Sequence, residues 1–251
     1  MKEVAIKAAK KGGEVVAHFF EMVGLEREVK QDTTFVTEAD KKTEAAIIEV
    51  IKKEFPNHGF LGEEGGSENE NAEYVWVIDP IDGTGNFVNG IPIFAISIAL
   101  LKKGEPVLGV IYNPITNSLY VGEKGKGVTY NGKSVSVSSQ DASKGALTFG
   151  YATKGKERAF ELLGEARKHF RTVRLLGSAV LDLAYVARGG TEAMVGISLN
   201  TWDYAAGVLL VQEAGGVVTT HDGGEWRFGD GSFLASNKKT HDTLVSFVGS
   251  I

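Results

Sequence analysis

Apolar positions recur at helical spacing over residues 2–23, where Val4, Ala5, Ala8, Ala9, Val15, Val16, Phe19, Phe20 and Val23 share one face. Gly12-Gly13 weakens the middle of that helix or lets a neighbour approach closely. A second helix is predicted over 38–55, with Ala45, Ile47, Ile48, Ile51 and Phe55 inward and Pro56-Asn57 as the stop. The period then changes. Val75-Trp76-Val77-Ile78 is a short apolar run ending at Asp79, and 93–101, 106–112, 117–122 and 127–137 read as strands separated by Gly, Asn and Pro. Asn131-Gly132 is a hairpin turn signal, so this stretch predicts an antiparallel meander.

From about residue 140 strands and helices alternate. Strands near 146–150, 172–175 and 192–197 precede helices near 155–169, 178–188 and 203–214, the last stopped by Gly215-Gly216. Strands at 217–220 and 232–236 and a helix at 240–249 follow. The expected class is α/β, with an α+β N-terminal half and an α/β C-terminal half. Two subdomains are expected, 1–140 with the antiparallel sheet and 141–251 with the alternating pattern.

Composition narrows the chemistry. The 251 residues, 43% hydrophobic and 24% charged, describe an ordinary globular chain, and 32 glycines without a Gly-X-Y period exclude collagen. A net charge of −5 argues against a basic nucleic-acid face, while an anionic small substrate stays open because a bound metal reverses the local field. With no cysteine, disulfides, thiol catalysis and thiolate zinc sites drop out, and no histidine shows zinc-ligand spacing. The greasiest run, 91–101, is about half the length a membrane span needs. With no signal-peptide pattern at the start, a soluble cytoplasmic protein is expected.

The chemistry concentrates in Trp76-Val-Ile-Asp79-Pro80-Ile81-Asp82-Gly83-Thr84-Gly85-Asn86-Phe87. An apolar strand delivers two carboxylates three residues apart, followed by a Gly-rich turn whose backbone N–H groups can face an anion. Carboxylates beside anion-binding amides suit Mg²⁺ held between acid side chains and phosphate oxygens. Phosphate ester hydrolysis needs an activated water, neutralised phosphoryl oxygens and a stabilised leaving group, which two divalent ions about 4 Å apart supply. Four acids, Glu63, Asp79, Asp82 and Asp203, carry −4 and can converge only if cations or protons offset them.

The string Asp79-Pro-Ile-Asp82-Gly-Thr84 with Asn86-Phe87 resembles the signature of the inositol monophosphatase family. Trp202-Asp203-Tyr-Ala-Ala-Gly with Glu213-Ala-Gly-Gly216, Gly62-Glu63-Glu64-Gly65 and Val36-Thr37-Glu38-Ala39-Asp40 resemble further family motifs, in family order. The resemblance implies a layered αβαβα sandwich of the sugar phosphatase type. It also implies a Mg²⁺-dependent, lithium-sensitive phosphomonoesterase, homodimeric, with two to three Mg²⁺ per site and Mn²⁺ as an alternative. Glu63, Asp79 and the Ile81 carbonyl would hold one ion; Asp79, Asp82 and Asp203 would hold a second; a third would sit near Glu63. Gly83 and Thr84 amides would bind phosphate, and the Thr84 hydroxyl, oriented by Asp40, would position the attacking water. Gly177, Ser178 and Ala179 would lie beside the substrate alcohol, with Asp82 and Asp203 also facing the substrate.

Simpler readings stand beside these. Thr37-x-x-Asp40 fits a helix capping box, Asp203 and Ser178 fit helix N-caps, and Glu63 and Glu64 fit solvated loop acids. Lys30 is a candidate for the pocket rim, with a surface lysine the plainer reading. Gly85 replaces a second threonine of the motif, and the apolar segment 194–201 lacks the family's inositol-contacting glutamate. These departures count against inositol selectivity and leave phosphate hydrolysis untouched; the resemblance implies inositol-1-phosphate or a similar small polyol or sugar phosphate as the substrate. Fructose bisphosphate, 3′-phosphoadenosine nucleotides and histidinol phosphate stand as alternatives, and a non-catalytic phosphoanion binder as a different class.

Overall fold

The computed structural model describes residues 1–20, 27–29 and 35–250, with 27–29 and 35–37 as backbone only. Val23 of the first predicted helix, Lys30, and the Thr37 side chain of the proposed capping box lie outside the described residues. The chain runs through α1 (Lys2–Phe20), the pair β1 (Arg27–Val29) and β2 (Phe35–Thr37), and α2 (Glu38–Glu54). Next come β3 (Gly59–Gly62), β4 (Gly66–Glu68), β5 (Tyr74–Asp82) and the short α3 (Thr84–Val88). The meander is β6 (Ala95–Lys102), β7 (Glu105–Asn113), β8 (Ser118–Glu123), β9 (Gly127–Tyr130) and β10 (Lys133–Val135). The second half contains β11 (Ala146–Tyr151), α4 (Lys156–Ala166), β12 (Thr172–Arg174), α5 (Ala179–Ala187) and β13 (Ala193–Ile197). It closes with α6 (Thr201–Glu213), β14 (Val217–Thr219), β15 (Phe233–Ser236) and α7 (His241–Gly249).

Beside the β1–β2 pair, two larger sheets carry the fold. One has eight strands in the order β10-β9-β8-β7-β6-β5-β3-β4, and the other five in the order β12-β11-β13-β15-β14. The meander closes at Asn131-Gly132, where both residues have the positive φ that a tight hairpin turn requires. The sequence pattern did not announce β3 and β4. They are only four and three residues long, too short for a period to register. In the second sheet β11 pairs in parallel with β12 and β13, while β15 runs antiparallel to both β13 and β14.

Five layers follow from which faces are apolar. Ala5, Ala8 and Val16 of α1 and Ile47 and Ile51 of α2 bury against Trp76, Ile78, Ile96, Ile98 and Val110 on one face of the large sheet. Its other face, carrying Val77, Ala99 and Ile111, packs on Leu183 of α5 and Tyr204 and Leu210 of α6. Those two helices also reach Met194 and Phe233 of the small sheet. On the far side Leu162 of α4 and Leu244 and Phe247 of α7 cover Leu147, Phe149 and Val195. The class is thus a mixed-sheet α+β/α/β layered sandwich, with α5 and α6 sealed between the sheets.

Helix α6 lies close to the large sheet because Gly109 of β7 has no side chain. A Cβ there would stand 2.9 Å from the Ala206 carbonyl oxygen. Gly109→Val is expected to destabilise the protein by about 1–3 kcal/mol through overpacking, read as a lower midpoint in urea unfolding. An unchanged midpoint would show that α6 does not depend on this approach.

Candidate active site

The two carboxylates of β5 share a face through a change of register. Asp79 pairs with Ser97 of β6 and Asp82 with Ala95, so three residues of advance on β5 match two on β6. The extra residue is a bulge, which flips the later side chains to the other face. Without it, Asp79 and Asp82 would point to opposite sides. With it, both fall on the Val77 face, toward α6.

Helix α6 brings the third acid. The sequence pattern starts this helix at 203, with Asp203 as a candidate cap. The structure starts it at Thr201, capped by Asn200, and places Asp203 at the third helical position. The Asn200 amide donates to Asp203 Oδ2 at 2.8 Å, the return half of a capping box. One carboxylate oxygen from each of Asp79, Asp82 and Asp203 lies within 4.8 Å of the others. Glu63 stands outside this trio but lines the same cavity, of about 770 Å³.

Among the described residues, every site residue expected from the sequence except Asp40 lines that cavity: Glu63, Asp79, Ile81, Asp82, Gly83, Thr84, Gly177, Ser178, Ala179 and Asp203. Asp40, buried on α2, stands behind Thr84, with Oδ1 3.3 Å from the Thr84 hydroxyl. That hydroxyl is also 2.9 Å from the Ile81 carbonyl oxygen, so its one hydrogen serves either acceptor. Asp79 Oδ1 accepts from the Ile81 amide at 3.0 Å. Asp82 Oδ2 accepts from the Ser178 hydroxyl and from the Val180 amide, the latter at 3.1 Å. Ser178 is both things the sequence suggested, since it caps α5 by accepting from the Leu181 amide at 3.3 Å and also lines the cavity. Gly83 has φ 92°, and a Cβ there would meet the Ile93 and Gly177 carbonyl oxygens at 2.9 and 3.1 Å. Only glycine lets the two turns close on each other.

Sequence reasoning missed several participants. Asn86 donates to the carbonyls of Ile93 and Leu176, each at 2.7 Å, tying the turn after β5 to the turn before α5. Asn200, Tyr151 and Lys154 line the cavity. Asn86 stands inside a quoted motif and so carries a signal. The other three are joined to the site only by folding.

The acids are electrostatically frustrated. Burial first, then the charges of Glu63, Asp82, Asp203 and Asp40, pushes Asp79 far above the ordinary carboxylate range. Burial raises Asp82 to about 7 against the opposing hydrogen bonds of Ser178 and Val180. Asp203 reaches about 7 through burial and the charge of Asp82. An all-oxygen trio of this kind fits a hard divalent cation such as Mg²⁺ or Mn²⁺, which relieves the repulsion the protein builds in.

Fold and site together define a phosphoric monoester hydrolase with an acidic centre able to take a divalent metal. The model of the inositol monophosphatase family matches residues 1–250, and the chain belongs to that family. It is 40% identical over 248 residues to the fructose-1,6-bisphosphatase/inositol-1-monophosphatase of Aquifex aeolicus (strain VF5), covering 97% of this chain and 93% of that one. It is 38% identical over 252 residues to Nus factor SuhB of Escherichia coli (strain K12), covering 98% and 94%. The crystal structure of extragenic suppressor protein suhB from Bartonella henselae superposes with a TM-score of 0.93 at 36% identity, covering 98% of this chain and 97% of that one. Among the described residues no helix is long and apolar enough to cross a membrane.

The raised acids give a pH signature. With Asp82 and Asp203 at about 7 in the folded protein and near 3.8 when unfolded, the metal-free fold holds the extra protons between these limits. Stability contributed by these groups therefore falls as pH rises through about 4 to 7, and cation binding displaces the protons. Metal-free Tm is expected to drop across that window and Mg²⁺ to restore it, with calorimetry at about pH 6 recording proton release. A Mg²⁺ affinity independent of pH from about 5.5 to 8 would contradict the assignment.

Proposed function

We propose that the protein is a Mg²⁺-dependent phosphomonoesterase acting on inositol-1-phosphate or a similar small polyol or sugar phosphate. The observation that carries this reading is the Asp79–Asp82–Asp203 trio, two of its acids buried and Asp203 half-buried, opening on a cavity that also presents the Gly83–Thr84 turn. Two to three Mg²⁺ ions, or Mn²⁺ in their place, belong to the reading. Glu63, Asp79 and the Ile81 carbonyl would hold one, and Asp79, Asp82 and Asp203 would hold another. Asp82 suits this role because Ser178 and Val180 engage only one of its oxygens. When bound, such ions neutralise the phosphoryl oxygens and make water nucleophilic near neutral pH.

The chain supplies the rest. Gly83 and Thr84 amides hold the phosphate. Asp40 accepts a hydrogen bond from the Thr84 hydroxyl, which leaves the lone pairs of the Thr84 oxygen to accept from a water and orient it for attack on phosphorus. The water oxygen bonds to phosphorus as the phosphorus–ester oxygen bond breaks, a proton from that water balances the leaving alkoxide, and the alcohol departs toward Gly177, Ser178 and Ala179, whose turn faces the cavity. The subdomains 1–140 and 141–251 meet at this site in the same reading. A homodimeric, lithium-sensitive, cytoplasmic enzyme with a small-molecule substrate and no nucleic-acid ligand completes it.

A sugar bisphosphate is the second reading. Lys154 gives the cavity a cation to which a second phosphate could bind, and the Aquifex aeolicus relative carries fructose-1,6-bisphosphatase in its name. Phosphate release from inositol-1-phosphate, fructose-1,6-bisphosphate, 3′-phosphoadenosine 5′-phosphate and histidinol phosphate, with and without Mg²⁺, tests both. The highest kcat/KM is expected for inositol-1-phosphate, and no Mg²⁺-dependent release from any of them would leave a phosphoanion-binding protein instead. Asp79→Asn is expected to lower kcat by about a hundredfold or more while circular dichroism stays native, because it removes the charge shared by both ion positions. Wild-type turnover in this variant would remove Asp79 from the centre.

A further inference from the structure

Helix α2 presents a second acid toward the site one turn beyond Asp40. Glu44 is 3% exposed, an unusual place for a carboxylate. Its two oxygens accept from successive backbone amides of the loop after β3, Glu64 N to Oε2 at 3.0 Å and Gly65 N to Oε1 at 2.6 Å. Glu63 immediately precedes those amides, and its own amide donates to the Ile78 carbonyl at 3.2 Å, next to Asp79. The glycines on either side of the loop acids make room for the clamp. A Cβ on Gly62 would stand 2.5 Å from Glu44 Oε2, and one on Gly65 2.6 Å from Oε1.

We infer that Glu44 is a positioning residue that fixes Glu63 at the cavity by gripping the two amides that follow it. This rests on the metal-dependent reading above. Residues four apart share a helix face, so Asp40 and Glu44 hold Thr84 and the Glu63 loop from one rigid element. The spacing between the water-orienting hydroxyl and the outermost acid is thereby set by one turn of α2. Glu63 sits in a loop between two short strands, a setting that by itself does not fix the direction of a side chain. A carboxylate is the side chain suited to the task, because it can accept both amide hydrogens at once.

Glu44→Gln keeps the shape but leaves one acceptor for two amides. In the metal-free variant, amide hydrogen exchange at Glu64 and Gly65 is expected to accelerate. Mn²⁺, titrated by its electron paramagnetic resonance signal, is expected to bind about 10- to 100-fold more weakly to the site that includes Glu63. Tm is expected to fall modestly, because one buried amide loses its acceptor, while the KM measured at saturating Mg²⁺ should change little; a merely structural role would lower Tm without the selective loss of Mn²⁺ affinity. Gly65→Ala reaches the same clamp from the exposed side of the loop, by driving a methyl group into Glu44 Oε1. It is expected to reproduce the Mn²⁺ loss, and it decides the matter if Glu44→Gln fails to fold. Unchanged exchange at the two amides, or wild-type Mn²⁺ affinity in the folded variant, overturns the assignment. If the wild-type protein itself binds no Mn²⁺, the metal-dependent reading falls and this assignment with it.

Discussion

Three like-charged groups crowded together, two of them buried, are the constraint around which this molecule is organised. Asp79, Asp82 and Asp203 place carboxylate oxygens within 4.8 Å of one another in a place where Asp79 is 2% exposed. Left to themselves such groups repel and lose hydration, and both effects favour the protonated form. The fold must hold them in place by other means, and it does so with elements whose own stability lies elsewhere. β5 is buried on both faces by the apolar contacts of Trp76, Val77 and Ile78, and α6 by those of Tyr204 and Leu210. The acids ride at the ends of these elements, so apolar burial in the layers offsets the electrostatic strain at the seam.

The seam is closed by glycine and amide contacts rather than by bulky packing. Gly83 permits the turn after β5 to touch the turn before α5, Asn86 bonds across the same gap, and Ser178 reaches from α5 to Asp82. Each of these joins residues about 90 or more positions apart in the chain. The site is consequently sensitive to the relative placement of the two sheets, which Gly109 sets by admitting α6 against β7.

Helix α2 organises the remaining chemistry. Its apolar side, with Ile47 and Ile51, locks it onto the large sheet, and its first turns carry Asp40 and Glu44 toward the cavity. Asp40 and Glu44 continue, at helical spacing, the same buried stripe as Ile47 and Ile51, so a helix fixed by that core face is a rigid ruler for the polar groups at its N-terminal end. That arrangement links core packing on one side of the sheet to the geometry of Thr84 and Glu63 at its edge.

The chain's local patterns specified much of this. Helical periodicity marked α1 and α2, Asn131-Gly132 marked the hairpin, and the Asp-Pro-Ile-Asp-Gly-Thr string marked the acids and the phosphate-facing turn. These signals are legible because they depend on spacings of one to four residues, over which backbone geometry is fixed by the residues themselves. β3 and β4 were too short to show a period, and the start of α6 shifted because Asn200 competed successfully with Asp203 for the cap. The bulge that turns Asp82 onto the face of Asp79 is written in the pairing of β5 with β6, and the role of Glu44 in a loop some 20 residues away. Which acids the protein has was decided by its sequence. That they converge was decided by strand register and helix docking, which arise from long-range burial of apolar surface and leave no mark in any short stretch of residues.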